Sequence, residues 1–176
     1  METTRSNGTT SAGITISRAV PEQAETLTTL MHASSAYRGD YASILDGYAV
    51  TAAYIRSHPV FVATSADRIV GFAALLTDNP ELDLLFVADD TQGLGVGARL
   101  VAHVLEHAKT LDIATVRVVA HPPALAFYER RGARRVGTVP PKPPKITWER
   151  PELVFELTRS GERDNQRTHR EQVSTK

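Results

Sequence analysis

The run Glu81-Leu82-Asp83-Leu84-Leu85-Phe86-Val87, a four-residue spacer, and then Gln92-Gly93-Leu94-Gly95-Val96-Gly97-Ala98 decides how the rest of this chain is read. Its first part is mostly apolar with weak alternation, which predicts a central strand covered on both faces. Three glycines in five residues let backbone N–H groups crowd together without Cβ obstruction. Beyond them, Leu100, Val101, Val104, Leu105 and Ala108 recur at helical spacing, predicting a helix over Ala98–Leu111. A strand, a glycine turn and a helix start in that order make a seat for phosphate, because the first amides of a helix are unpaired and its dipole favours negative charge.

Three phosphate loops compete for this stretch. A nucleotide P-loop fails, since no Gly-Lys-Ser/Thr follows. Gly93, Gly95 and Ala98 satisfy the dinucleotide fingerprint, and Asp112 stands near the ribose-binding distance. That fingerprint, however, needs its strand to run straight into the turn, and here Ala88 to Thr91 intervene. The third pattern is the coenzyme A pyrophosphate loop, Gln/Arg-x-x-Gly-x-Gly/Ala, met by Gln92, Gly95 and Gly97.

Outward from the loop, Ile14 to Val20 reads as a strand and Glu22–Ala33 as a helix with one apolar stripe, Ala24, Leu27, Leu30 and Met31. Ser34 to Tyr48 is irregular, with three tyrosines near Arg38, Asp40 and Asp46. It reads equally as the lining of a polar ligand or as a packed connector. Thr51 caps a short helix, Ala52–Ser57, that stops at His58-Pro59. Val60–Thr64 and Ile69–Thr77 form a hairpin about Ser65-Ala66-Asp67-Arg68. Thr115–Ala120, Arg134–Val139 and Glu152–Thr158 read as strands, and Ala124–Arg131 as a helix ending at Gly132. The expected architecture is α/β: a seven-strand mixed sheet with helices on both faces. His103 and His107 are four apart on the predicted helix, but no carboxylate pattern surrounds them, so solvated histidines are expected and no metal.

The chain has 176 residues, 41% of them hydrophobic and 23% charged, which predicts one globular domain over 14–158 between polar tails at 1–13 and 159–176. Twenty basic residues balance twenty acidic ones, which argues against nucleic acid or an anionic membrane as the main partner. There are no cysteines, which removes disulfides and a cysteine nucleophile and fits a reducing cytoplasm. Neither a signal segment nor an apolar run of membrane-spanning length is expected.

The glycine stretch after Leu84-Leu85-Phe86-Val87 resembles the core motif of the GCN5-related N-acetyltransferases, the GNAT family. A second motif agrees. Where the family has Asn-x-x-Ala-x-x-x-Tyr-Glu-Lys-x-Gly-Phe, this chain has His121 through Ala133, with Ala124, Tyr128, Glu129 and Gly132 in register. His121 replaces the usual Asn and Ala133 the usual Phe. The resemblance implies a mostly antiparallel sheet whose central parallel pair, Glu81–Val87 and Thr115–Ala120, splays to admit pantetheine. It implies acetyl-CoA as donor substrate, without metal. Gln92, Gly93, Leu94, Gly95, Val96, Gly97 and Ala98 are expected to carry its pyrophosphate, Phe86 and Val87 its pantetheine amides, and His121 and Ala124 to adjoin it. Tyr128 is expected as general acid toward the departing thiolate or, on the alternative reading, only to position the sulfur. Glu81, with Asp83 as its substitute, is expected as the base. Tyr37, Arg38, Tyr41 and Trp148 are expected as walls of the acceptor site, Arg38 holding a carboxylate or phosphate. The acceptor is expected to be a small amine or amino-acid-like metabolite, including an antibiotic or toxin to be detoxified, with the protein a monomer or homodimer. The alternatives are a protein N-terminal or lysine acetyltransferase and a non-catalytic coenzyme A-binding module.

Overall fold

A computed structural model describes residues 13–158. Residues 1–12 and 159–176, which hold the expected tails apart from Gly13, lie outside the described residues. The strands are β1 (Ile14–Arg18), β2 (Val60–Ser65), β3 (Arg68–Leu76), β4 (Glu81–Val87), β5 (Thr115–Val119), β6 (Arg134–Val139) and β7 (Arg150–Glu156). The helices are α1 (Ala24–Ala33), α2 (Ala52–Ser57), α3 (Val96–Thr110) and α4 (Leu125–Arg130). Short 3₁₀ turns at Pro21–Gln23, Ser35–Tyr37, Gly39–Leu45, Asp89–Thr91 and Pro122–Ala124 join them.

The local chemistry explains the boundaries. Thr51 caps α2 through its hydroxyl, which accepts from the Tyr54 amide at 3.0 Å. The β2–β3 hairpin closes on Ala66 and Asp67, both left-handed (φ 47° and 62°), as a two-residue hairpin turn requires. Several boundaries shift by one or two residues from expectation, β1 ending at Arg18 and α1 beginning at Ala24 among them. α3 begins at Val96 rather than Ala98, because Gly95 takes φ 79° and ends the turn there. α4 is shorter at its start, because Pro122 and Pro123 hold the chain in a 3₁₀ turn first. β7 begins at Arg150 rather than Glu152. Pro151 is tolerated because the N–H it lacks would face the chain beyond the last residue of β5; its carbonyl still accepts from the Ala120 amide there (3.0 Å).

The seven strands lie in the order β1-β2-β3-β4-β5-β7-β6. Every neighbouring pair is antiparallel except β4 and β5. That parallel pair shares one register position, Glu81 opposite Arg117, with the Arg117 amide donating to Pro80 O at 2.9 Å. Beyond this rung the strands part, and the sheet opens between its two halves. A bulge in the β3–β4 ladder passes over Asp83, pairing Leu82 with Leu75 and Leu84 with Ala74.

Helices cover both faces. On one, Leu100, Val101 and Val104 of α3 and Tyr128 of α4 pack on Leu75, Val116 and Leu153. On the other, Leu27 and Met31 of α1 and Ile55 of α2 pack on Val60, Val62 and Phe72. His103 and His107 are less solvated than their pattern predicts: both rings set their edges against Phe61, at 4.6 and 5.1 Å between centroids. No helix among the described residues is long and apolar enough to cross a membrane.

Candidate active site

The glycine loop is built from committed and uncommitted amides. The Gln92 amide donates to Asp89 O and the Leu94 amide to Thr91 O, both at 3.3 Å, so these two serve the turn itself. Gly93 (φ 80°) and Gly95 (φ 79°) occupy the left-handed region, where a Cβ is costly. The amides of Val96, Gly97 and Ala98 precede the first bond of α3, Arg99 N to Gly95 O at 3.0 Å, and so lack an intrahelical acceptor. Leu94 is exposed at the loop tip.

Asp89 ties this loop to the segment after α1. Its Oδ1 accepts from the Ser35 amide (3.0 Å), the Ser35 hydroxyl (2.9 Å) and Gln92 Nε2 (3.1 Å). The Ser35 amide first, and then its hydroxyl, hold the carboxyl below its ordinary value.

At the opening between β4 and β5, backbone alternation decides which groups are available. The Ala88 amide donates to Val70 O on β3 (2.8 Å). By alternation the polar backbone groups of Phe86 turn toward β3, and those of Leu85 and Val87 turn away from it, into the opening. Phe86 therefore meets the site with its ring, and Val87 with its amide.

Beneath the opening lies a cavity of about 200 Å³ whose lining includes Tyr37, Glu81, Asp83, Tyr128 and Arg150. Tyr128 is buried on α4, and burial, then the neighbouring Tyr37, raises its phenol above the ordinary value. Burial likewise pushes Tyr37 up to about 12. His121 follows β5 and is buried, with its ring 4.5 Å from Tyr37 and 5.8 Å from Tyr41. Burial lowers its pKa, partly opposed by the Ala36 carbonyl. Ala124 closes the 3₁₀ turn after it, its amide donating to His121 O at 2.9 Å.

The two carboxylates in the cavity already have partners. Arg117 donates to Glu81 Oε2 at 2.7 Å and to Glu152 Oε1 at 2.5 Å, bridging β4, β5 and β7. The Tyr54 hydroxyl donates to Asp83 Oδ2 at 2.5 Å. Burial first, and then Asp83, raises the Tyr54 phenol, so it remains a donor.

Tyr37, Glu81, Phe86, His121 and Tyr128 thus come together in one cavity. Tyr41 and Trp148 stand one layer back, edge to face at 4.9 Å, with Tyr41 against His121. Arg38 is brought elsewhere. Its side chain is 72% exposed on the outer surface, 3.7 Å from Asp89, and it does not line the cavity. The segment 39–46 and the proline-rich loop 140–149 between β6 and β7 are fastened together by Ser43 Oγ donating to Lys145 O (2.6 Å) and Lys145 Nζ to Asp46 O (2.9 Å).

The sequence reading missed Tyr54, Arg117, Arg150 and Glu152. A signal was present: Arg117 lies between Val116 and Val118, and Arg150 and Glu152 alternate with Pro151, Leu153 and Phe155. A charged residue recurring on one face of a central strand marks a polar floor.

The lowered pKa of His121 has a consequence for stability. Between its folded value and the ordinary 6.5 the unfolded chain binds more protons, so stability rises with pH through that window. It is complete above 6.5 and lost as pH falls through the folded value. His121→Asn removes this contribution, so the fall in melting temperature on acidification becomes shallower. His107, also lowered by burial first, keeps its share in the variant.

A family model described as "Acetyltransferase (GNAT) domain" matches residues 21–140, and the chain belongs to that family of acetyltransferases. An uncharacterized N-acetyltransferase, ycf52, of Porphyra purpurea is 30% identical over 71 residues; the match spans 39% of this chain and 41% of that protein. A GCN5-related N-acetyltransferase structure from Rhodopseudomonas palustris, described as an aminotransferase, class II, superposes with a TM-score of 0.66 at 21% identity, over 83% of this chain and 97% of the other. The PaiA N-acetyltransferase of Thermoplasma acidophilum, solved in complex with coenzyme A, gives 0.64 at 16% identity, over 82% and 99%. These two likenesses bear out the mixed sheet with its central parallel pair and helices on both faces.

Proposed function

We propose that this protein transfers the acetyl group of acetyl-CoA directly to the amine of a small acceptor. The observation that carries this reading is the opening of the sheet beyond the single Glu81–Arg117 rung, with free amides above and Tyr128 below. The diphosphate is read to rest on the amides of Gly93, Gly95 and Val96 to Ala98. The pantetheine amides pair with the gap-facing backbone of β4 as an added strand. The coenzyme A bound to the Thermoplasma relative supports the choice of donor.

The acceptor nitrogen attacks the thioester carbon, the carbon–sulfur bond breaks, and an amide forms. A gap-facing amide, Val87 or Leu85, polarises the thioester carbonyl. The sulfur leaves as a thiolate and takes the Tyr128 phenolic proton. Burial raises both the phenol and a thiolate formed beside it, so their proton affinities stay comparable. The amine's proton passes to Asp83 or Glu81, directly or through water.

A cavity of about 200 Å³ is smaller than the ~300–1,000 Å³ of drug-sized sites. The fastening of Ser43 to Lys145 closes one side where a peptide chain would need to pass. Both favour a small acceptor over a protein terminus or lysine. Incubation with acetyl-CoA and a panel of amines, following free thiol, tests the reading. Acceptor-dependent thiol release is expected. Coenzyme binding with no release from any acceptor would instead indicate a non-catalytic binding module.

A further inference from the structure

We infer that Arg150 anchors a carboxylate of the acceptor, so that the substrate is an amino acid rather than a simple amine. The inference rests on the acetyl-transfer reading above. Arg150 opens β7. Continuing the register that sets Val119 opposite Glu152 brings it beside His121, at the end of the splayed gap. On β7, Pro151, Leu153 and Phe155 are buried, and the latter two join the core under α3. Arg150 and Glu152 therefore face the other way, toward the side of the sheet that carries Asp83 and Tyr54.

Arg150 lines the cavity, and its Nε is buried with no hydrogen-bond partner among the described residues. None of the ion pairs among those residues includes it. The contrast with Arg117 is informative. That guanidinium, also on the polar floor, is shared between Glu81 and Glu152. Buried polar atoms in folded proteins are normally paired, so an orphaned guanidinium N–H in a cavity points to a partner from outside the chain. The Nε edge of arginine presents parallel donors that match a carboxylate.

The remaining charges fix the orientation of such a ligand. Asp83 is hydrogen-bonded by the neutral Tyr54 hydroxyl and has no cationic partner among the described residues, and the Glu81–Arg117–Glu152 group carries one net negative charge. An ammonium is attracted to that end and a carboxylate to Arg150. Arg38, which by sequence was the expected carboxylate holder, is 72% exposed and set against Asp89.

The test uses the full-length protein with coenzyme A or acetyl-CoA and matched triplets: single amino acids, their carboxamides, and the corresponding decarboxylated amines. Equilibrium binding by calorimetry in the presence of coenzyme A is read separately from thiol release. At least one amino acid is expected to bind about 10–100-fold more tightly than its amide and amine, the span of a charge-assisted hydrogen bond. Arg150→Gln should abolish that preference through Kd and KM with little change in kcat, and Arg150→Lys should restore part of it. A thermal melt and far-UV circular dichroism establish that the variants are folded. Equal binding of acid, amide and amine by the wild-type protein overturns the proposal, as does a preference that survives in folded Arg150→Gln. Carboxylate-selective binding without thiol release would uphold the anchor and overturn turnover instead.

Discussion

Replacing Tyr128 with Phe is expected to lower kcat by ~10²–10⁴-fold, the range for loss of a positioned proton donor, while leaving acetyl-CoA bound. The ring stays to fill its place in the core between α4 and the sheet, so the fold should hold. Only the hydroxyl is lost, and with it the proposed proton donor to the departing sulfur. Because burial holds this phenol above its ordinary value, it remains protonated throughout the neutral range. The wild-type rate should therefore show no loss attributable to Tyr128 up to about pH 10. Steady-state kinetics and coenzyme titration on the same preparation check both parts. Undiminished turnover would remove the acid and leave Tyr128 a packing residue.

The second large effect is on stability. Phe72 is fully buried on β3 and stacks on Phe86, 5.5 Å between centroids. Phe86 meets Tyr37 at 5.4 Å, and Tyr37 meets His121 at 4.5 Å. Phe72→Ala should cost about 3–5 kcal/mol through lost burial and the cavity left behind. For a domain of this size that lowers the melting temperature by roughly 6–20 °C. The row of rings makes the loss functional too. Without Phe72 beneath it, Phe86 loses the surface that holds it against Tyr37, and the acceptor wall loosens. A rise in acceptor KM should accompany the lower melting temperature, and Phe72→Leu should recover most of both. A large thermal shift with an unchanged KM would separate core from site.

Much of the fold was legible because its signals are local. The glycine loop, the Thr51 cap and the turn at Ala66-Asp67 each depend on neighbours a few residues apart. The apolar stripe of α3 also depends only on local spacing. The two motifs placed Tyr128 and His121 beside the loop's strand through a family pattern. What escaped was decided by register between distant strands. Arg117 reaches Glu81 and Glu152 only because β5 lies between β4 and β7. The alternation of Arg150 and Glu152 with Pro151, Leu153 and Phe155 puts Arg150 on a polar face, but no local signal says that this face lines a cavity while Arg38 lies outside it. That difference belongs to the path of the chain after α1 and to two residues of strand before Glu152.

The lone rung between β4 and β5 also governs how the sheet meets solvent deuterium. Along β4 the Leu84 and Phe86 amides turn toward the β3 ladder, while Leu85 and Val87 face the opening. In the free protein, exchange beyond the bulge should alternate, slow at the even positions Leu84 and Phe86 and fast at the odd ones Leu85 and Val87. Acetyl-CoA should slow the odd set alone, as an added strand does. A strand at the middle of a seven-stranded sheet would then carry the exchange signature of an edge until its substrate arrives.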